Sequence, residues 1–320
     1  KKIADFDKSI DKVAQWDKDL SIKFVTPNET VCYRYTGEMF KFENTSISQL
    51  VSPNHRMPNF YRKTSKLTVS LSEELVKSNN GDRTLPISGI INQAGYQSLT
   101  VDFIKLFAAF QADGSIRERG NKKELNFFLK KERKILRLRE LLTNCSIKWS
   151  ESPASDDRTM FYISYQTNKE LFDFIKLVNK RWGAWVLHLS SEAMIAAIEE
   201  TRYWDSSARG DSSWAYYSKE RDNCEWVMTM AHLAGYKAFI NEDHPTVFVC
   251  SISKLDRTYL TKTYRSVEMY DGFIYSMQVP SSFYLIKRNG KISVTGNTSY
   301  SAGPLVLANR LGIKMGDAKK

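Results

Sequence analysis

Two aspartates stand where a helical run gives way to a polar turn: Asp113 in FAAFQADGS and Asp205 in EETRYWDSS. Taken singly, an Asp before Gly-Ser is an ordinary turn residue. Two of them at matching points of two similar segments suit a different task, holding a hard divalent cation such as Mg2+. That ion takes one or two carboxylates and fills its other positions with water and phosphate oxygens. His55 lies in the loop-forming stretch SPNHRMP, and its ring suits proton transfer near neutrality. A lone loop histidine is more often a surface residue. His188, His232 and His244 have no motif partners and read as structural. Cys32, Cys145, Cys224 and Cys250 are far apart, form no CxxC and read as buried thiols. No zinc spacing, GxxxxGK[ST] or GxGxxG occurs, which removes the common zinc and nucleotide-binding classes.

The elements that must position these residues follow from periodicity. Residues 1–80 read as short strands, VAQWD, SIKFV, ETVCYRY and EMFKF, separated by Asp, Pro-Asn and Thr-Gly turn signals. From 99 the period changes, and Leu99, Phe103, Leu106, Phe107 and Phe110 fall on one helical face. Helical patterns recur at ILRLRELLTNC, ELFDFIKLVNK, SEAMIAAIEETRYW and CEWVMTMAHLAG, with strand-like LNFFL, MFYISYQ and TVFVCSI among them. From 264 the chain returns to β in GFIYSMQV, FYLIKR and KISVTG. The simplest topology is one β domain interrupted by an α/β domain. The stretches 127–147 and 215–236 each run from an aromatic strand through Lys-Glu-Arg into a helix, and each follows one of the two aspartates. The insert is therefore expected to be a pseudo-dimer of two similar halves.

The 320 residues carry 47 Lys+Arg against 36 Asp+Glu, a net charge of +11, with 42% hydrophobic residues, a composition that excludes disorder. No apolar run is long enough for a membrane span, and the amino end has no apolar signal region, so a cytoplasmic location with no membrane partner is expected. The basic excess is uneven: residues 101–182 hold 17 basic and 11 acidic side chains, residues 183–263 hold 8 and 11. Phosphate neutralisation is thus expected mainly from the first half of the insert.

LFAAFQADGSI (106–116) resembles the helix that gives LAGLIDADG homing endonucleases their name. The resemblance implies two such helices paired across a pseudo-twofold axis, with Asp113 and Asp205 as catalytic, metal-binding acids for Mg2+ and double-stranded DNA as partner. Ser206 departs from the motif, which has glycine there. NKRW (179–182) looks like the basic position of that family, making Lys180 the residue that activates water or stabilises charge.

The flanking segments resemble the Hint splicing domain of phage-type inteins. LVSPNHRMP (50–58) matches its Thr-x-x-His block, with Ser52 in the Thr position and His55 as the histidine. FIYSMQVPSSFYLIKRNGKISVTGNT (273–298) matches its closing blocks. The resemblance implies that His55 donates a hydrogen bond or proton at the first scissile amide and that Asn297 cyclises. Thr298 is the hydroxyl nucleophile after the cut, and Ser276 occupies the position that tunes the branched intermediate. Gly296 stands where inteins usually have a penultimate histidine.

Together these imply a β plus α/β fold: an all-β, horseshoe-like Hint domain (1–90 and 264–297) interrupted by a LAGLIDADG pseudo-dimer of αββαββ-like halves (91–263). Residues 298–320 are then the start of a C-extein, resembling a family A DNA polymerase through Tyr300 and the helix after it. KKIAD resembles the strand after an intein's opening block, with no catalytic Cys before Cys32. That implies the C-terminal piece of an atypically split intein, spliced in trans with a short N-terminal fragment in the bacterial host of a phage. A truncated gene is the other reading. The competing functions are a free-standing LAGLIDADG endonuclease and a decayed one that only binds DNA.

Overall fold

The computed structural model describes residues 1–79, 81–119, 122–241 and 246–297. The expected nucleophile Thr298, the expected C-extein 298–320 with Tyr300, and His244 lie outside the described residues. The protein is mixed α/β, built mostly of strands. It divides into two units, Ser88–Asp256 and a unit made of Lys1–Ile87 with the chain from Arg257 onward.

The first unit opens with β1 (Val13–Trp16), β2 (Ser21–Val25), β3 (Glu29–Glu43), β4 (Ser48–Val51), β5 (Arg56–Tyr61), β6 (Leu67–Leu71), α1 (Ser72–Lys77) and β7 (Arg83–Pro86). The inserted unit runs β8 (Ile90–Ile91), α2 (Val101–Asp113), β9 (Gly114–Arg119), β10 (Lys122–Leu129), α3 (Glu132–Asn144), β11 (Ser150–Ala154), β12 (Arg158–Ser164) and α4 (Lys169–Leu177). It continues with α5 (Ser191–Glu200), β13 (Ser206–Ala208), β14 (Ser213–Ser218), α6 (Arg221–Leu233), β15 (Lys237–Asn241) and β16 (Phe248–Ser253). The first unit resumes with β17 (Arg257–Leu260), β18 (Arg265–Gln278), β19 (Phe283–Arg288) and β20 (Lys291–Gly296).

The unit borders fall at 87/88 and 256/257 instead of the expected 90/91 and 263/264. The reason is β17, which pairs antiparallel with β7, Arg257 opposite Pro86, and so belongs to the first unit. A second departure is β3. The Thr36-Gly37 turn signal lies inside one continuous strand, which pairs with β18 from Glu29 opposite Gln278 to Phe42 opposite Arg265. Gly37 adopts φ +154°, and the Tyr35 ring fills the space beside it, with the hydroxyl donating to the Glu38 carbonyl at 2.9 Å. Gly272 on β18, directly opposite Tyr35, is covered in the same way by Tyr270. Each glycine leaves a slot on the strand and a tyrosine two residues earlier closes it, so the chain need not turn.

Phe42, Ile47, Met57, Leu75, Leu85, Ile87 and Leu260 form the main core of this unit. Arg265 satisfies the open C-terminal carbonyls of α1, donating to Leu75 O and Ser78 O at 2.8 Å each.

In the inserted unit the two sheets have the same strand order, β11-β12-β10-β9 and β15-β16-β14-β13. Each half is therefore α-β-β-α-β-β, with α4 added after the first. Helices α2 and α5 pack together. Both bury small residues, Ala108 and Ala109 on one, Ala193 and Ala197 on the other, which lets helices approach closely. Glu200 at the end of α5 is 2% exposed and accepts from Arg137 Nε on α3 and from Trp204 Nε1, both at 3.0 Å. Removing the carboxylate leaves the Arg137 guanidinium with Glu140 and the Tyr203 ring but without its buried partner, so Glu200→Ala is expected to cost about 2 to 3 kcal/mol. A urea midpoint equal to wild type would count against this pair as a tie between the halves.

Candidate functional site

In the β unit, the turn carrying Ser52 and His55 is tied down at several points. His55 N–H donates to Ser52 O at 3.0 Å, and Ser52 Oγ donates to Asn54 Oδ1 at 2.9 Å. Ser72, the first residue of α1, donates its hydroxyl to Ser52 O at 2.6 Å and its N–H to His55 O at 2.8 Å. Ser72 is buried and carries no signal in a one-dimensional motif.

His55 is itself buried, and its Nε2 is hydrogen-bonded to Thr295 Oγ1 on β20 at 2.8 Å. The neighbouring Arg56 N–H donates to Asn297 O at 3.3 Å, and Asn297 N–H donates to Ser282 O at 3.1 Å. Ser282 takes φ +69° in the turn before β19, a left-handed conformation that costs a non-glycine residue about 1 kcal/mol or more. Gln49 holds β20 from the other side through Ser293 Oγ and Val294 O, both 2.9 Å. Residues about 240 apart in sequence are thereby joined. Asn297 Oδ1 is buried with no hydrogen-bond partner among the described residues. Ser276 is buried on β18 and makes no hydrogen bond to His55, Thr295 or Asn297. A cavity of about 880 Å³ opens onto this cluster, lined among others by Ser52, His55, Thr295, Val13, Met277 and Tyr284.

Burial pulls the His55 pKa down from its ordinary 6.5 to about 4, so near neutral pH the folded protein holds a neutral ring, hydrogen-bonded to Thr295, and no imidazolium acid. The unfolded chain binds that proton more readily. Its contribution to stability is therefore complete above pH 6.5 and is lost as pH falls towards 4, about 3 kcal/mol over the window. His55→Gln should flatten this dependence in urea titrations at pH 7 and pH 4.5; an unchanged slope would mean another group is responsible.

In the inserted unit, Asp113 ends α2 and forms an ion pair with Lys134 of α3. Lys134 also lies 5.5 Å from the Trp204 ring. Asp205 follows the 3-10 turn Thr201–Tyr203 that closes α5. Burial raises the Asp205 carboxyl, the Asp113 charge raises it further, and Lys134 and Lys180 pull it back. Lys180 shows the mirror image: burial lowers its ammonium while Asp205 and Asp113 hold it up. It sits in a left-handed pair, Asn179 and Lys180 with φ 49° and 54°, at the end of α4, and donates its ammonium to Gly114 O. Asp113, Asp205 and Lys180 are thus brought together, joined by Lys134 of α3, a residue that no motif in the sequence singles out.

The two halves differ in packing at the position that Gly114 and Ser206 share. A Cβ on Gly114 would lie 2.2 Å from the Phe110 ring, one turn back on α2. At Ser206 the equivalent residue is Arg202, and the helix has already tightened into its 3-10 turn. Ser206 Oγ is buried there with no hydrogen-bond partner among the described residues.

The two carboxylates present hard oxygens of the kind a divalent ion takes, and Lys134 and Lys180 offset part of their mutual repulsion. Among the described residues there is no group of three or more His, Cys, Asp and Glu that could hold a metal ion. No helix among the described residues is long and apolar enough to cross a membrane.

No family profile matches the chain, and no curated protein matches it in sequence. Among solved structures, it is similar to the homing endonuclease I-DmoI in complex with DNA and Mn, at TM-score 0.37 and 15% identity over 48% of this chain and 91% of that one. It is similar to the AceL NrdHF class 3 split intein at TM-score 0.34 and 10% identity, over 92% of this chain and 87% of that one. A full-length WhiA from Thermatoga maritima is similar at TM-score 0.35 and 10% identity, over 50% of this chain and 53% of that one.

Proposed function

We propose that the chain is an intein: the β unit excises itself by protein splicing, and Ser88–Asp256 is a LAGLIDADG-type endonuclease for a double-stranded DNA homing site. The observation that carries the splicing reading is the buried cluster in which His55 and Arg56 meet Thr295 and Asn297. A neutral His55 held by Thr295 supplies the hydrogen bond that weakens the first scissile amide. Asn297, fixed at its N–H and its carbonyl, is oriented to cyclise, and Thr298 receives the acyl group. The first Cys or Ser comes from a short N-terminal intein fragment, for which the 880 Å³ cavity beside His55 has the room. Residues after Asn297 belong to a host protein of the DNA polymerase kind, in a phage-infected bacterium.

For the endonuclease, Asp113 and Asp205 would hold Mg2+, which when bound neutralises the charge that develops on the cleaved phosphodiester. Lys180 steadies the attacking water or the leaving oxygen from beside Gly114. A second reading, DNA binding without cleavage, draws on Ser206 and on the acidic second half of the insert.

Mixing the full chain with a synthetic N-terminal fragment that begins with Cys tests both activities. Ligated flanks in the mass spectrum, and Mg2+-dependent cleavage of the uninterrupted host gene, are expected. Failure to release residues 298–320 or to ligate would sink the splicing reading; binding without cutting would favour the decayed nuclease.

A further inference from the structure

The splicing reading leaves its last step without the usual helper, because Gly296 precedes Asn297. We propose that the main-chain N–H of Arg56 is the oxyanion donor for cleavage after Asn297, and that residue 296 is glycine because the strand carrying this donor occupies the space of a side chain. The inference rests on the splicing reading and deepens it.

A Cβ at Gly296 would lie 1.9 Å from the Arg56 carbonyl oxygen and 2.9 Å from its carbon. Both are backbone atoms of β5, which no rotamer change can move aside. A penultimate histidine therefore does not fit this backbone. What the close approach provides instead is the Arg56 N–H, 3.3 Å from Asn297 O. That oxygen belongs to the scissile carbonyl.

In the cyclisation, Asn297 Nδ2 attacks the Asn297 carbonyl carbon and the oxygen takes up negative charge. The carbonyl then re-forms as the bond to the nitrogen of residue 298 breaks. Nδ2 loses one proton and the departing nitrogen gains one, leaving a succinimide and a free amine, with no water consumed. A donor that is long in the ground state and tightens on the charged oxygen stabilises the transition state more than the substrate.

The surrounding bonds prevent the carbonyl from swinging away. Ser282 O holds the Asn297 N–H, and His55 holds Thr295 on the same strand. His55 and Arg56 are thus neighbours at the entry to β5, the ring placed for the first junction and the backbone N–H for the second. A helper side chain would have left a readable motif; a main-chain N–H leaves only the glycine that makes room for it.

The test uses the full chain mixed with the Cys-bearing N-terminal fragment, following release of residues 298–320 and cleavage at the first junction separately. Replacing Arg56 by its α-hydroxy analogue turns that amide into an ester, which removes the N–H and weakens the His55 carbonyl as acceptor for the Ser72 N–H; the same exchange at Ser72, which removes that donor, controls for the second effect. Release is expected to slow by about 10²- to 10³-fold, the loss typical of one oxyanion donor, with first-junction cleavage kept. Gly296→Ala and Gly296→His are expected to abolish release, with near-UV dichroism reporting whether the β unit still folds. Undiminished release from the ester variant overturns the role of Arg56, as does faster release from Gly296→His. Absence of release from the wild-type chain overturns the splicing reading itself.

Discussion

On the proposed endonuclease reading, Asp113→Asn is expected to abolish double-strand cleavage by the chain and to leave binding of the homing site in Ca2+ within a few-fold of wild type. The substitution keeps the shape of the side chain and removes the charge a divalent ion needs. The loss of several kcal/mol of transition-state stabilisation corresponds to about 10³-fold or more in rate. Binding survives because phosphate contacts, which supply most of the affinity, come from the basic side chains, and one fewer carboxylate weakens repulsion from the DNA. The ion pair to Lys134 is lost, and with the two side chains 12% and 26% exposed some loss of stability is expected beside the loss of cutting. Asp205→Asn should behave alike with one difference. Burial and the Asp113 charge already raise the Asp205 carboxyl, so the amide relieves repulsion and the variant should be at least as stable as wild type. Cleavage gels with supercoiled plasmid and filter binding in Ca2+ check both. Cutting by Asp113→Asn at more than a tenth of the wild-type rate would remove Asp113 from the chemistry.

Much of this site was legible because helices advertise themselves. Phe103, Phe107 and Phe110 recur at helical spacing, and α2 ends at Asp113 as the pattern requires. The Lys-Glu-Arg repeat exposed the two halves, whose sheets share one strand order. Lys134 was not legible: a lysine on an amphipathic helix is a solvent residue until the partner helix ending at Asp113 is in place. The long β3 was misread for a local reason, since Thr36-Gly37 is a turn signal only when nothing fills the slot beside glycine, and Tyr35 does. In the β unit the motif gave His55 and Asn297 but not Thr295, Ser72 or the N–H of Arg56. Thr295 owes its role to the pairing of distant strands, and Ser72 to a loop it closes from 20 positions away. A backbone amide has no residue type at all. Single-sequence patterns carry periodicity and side-chain chemistry; they do not carry which strands become neighbours.

Asn297→Ala eliminates release of residues 298–320 and leaves both the fold and DNA cleavage intact. In the proposed splicing reaction the Asn297 side-chain amide is the attacking group, so its removal would leave only uncatalysed hydrolysis of a peptide bond, too slow to detect. Stability is spared because the side chain contributes no hydrogen bond from Oδ1 among the described residues, while the bonds to Arg56 and Ser282 are made by its backbone, which alanine keeps. A cost of about 1 kcal/mol or less follows. DNA cleavage persists because Asp113, Asp205 and Lys180 lie in the other unit. The two substitutions dissociate the activities: Asp113→Asn keeps splicing and loses cutting, Asn297→Ala keeps cutting and loses splicing. Mass spectrometry of the released tail and plasmid cleavage, run on the same preparations, read both. A free-standing nuclease would release no tail in either protein, and the wild-type control exposes that case. Release of the tail by Asn297→Ala at the wild-type rate would mean the bond is cut by another group, and the buried cluster around His55 would need a different purpose.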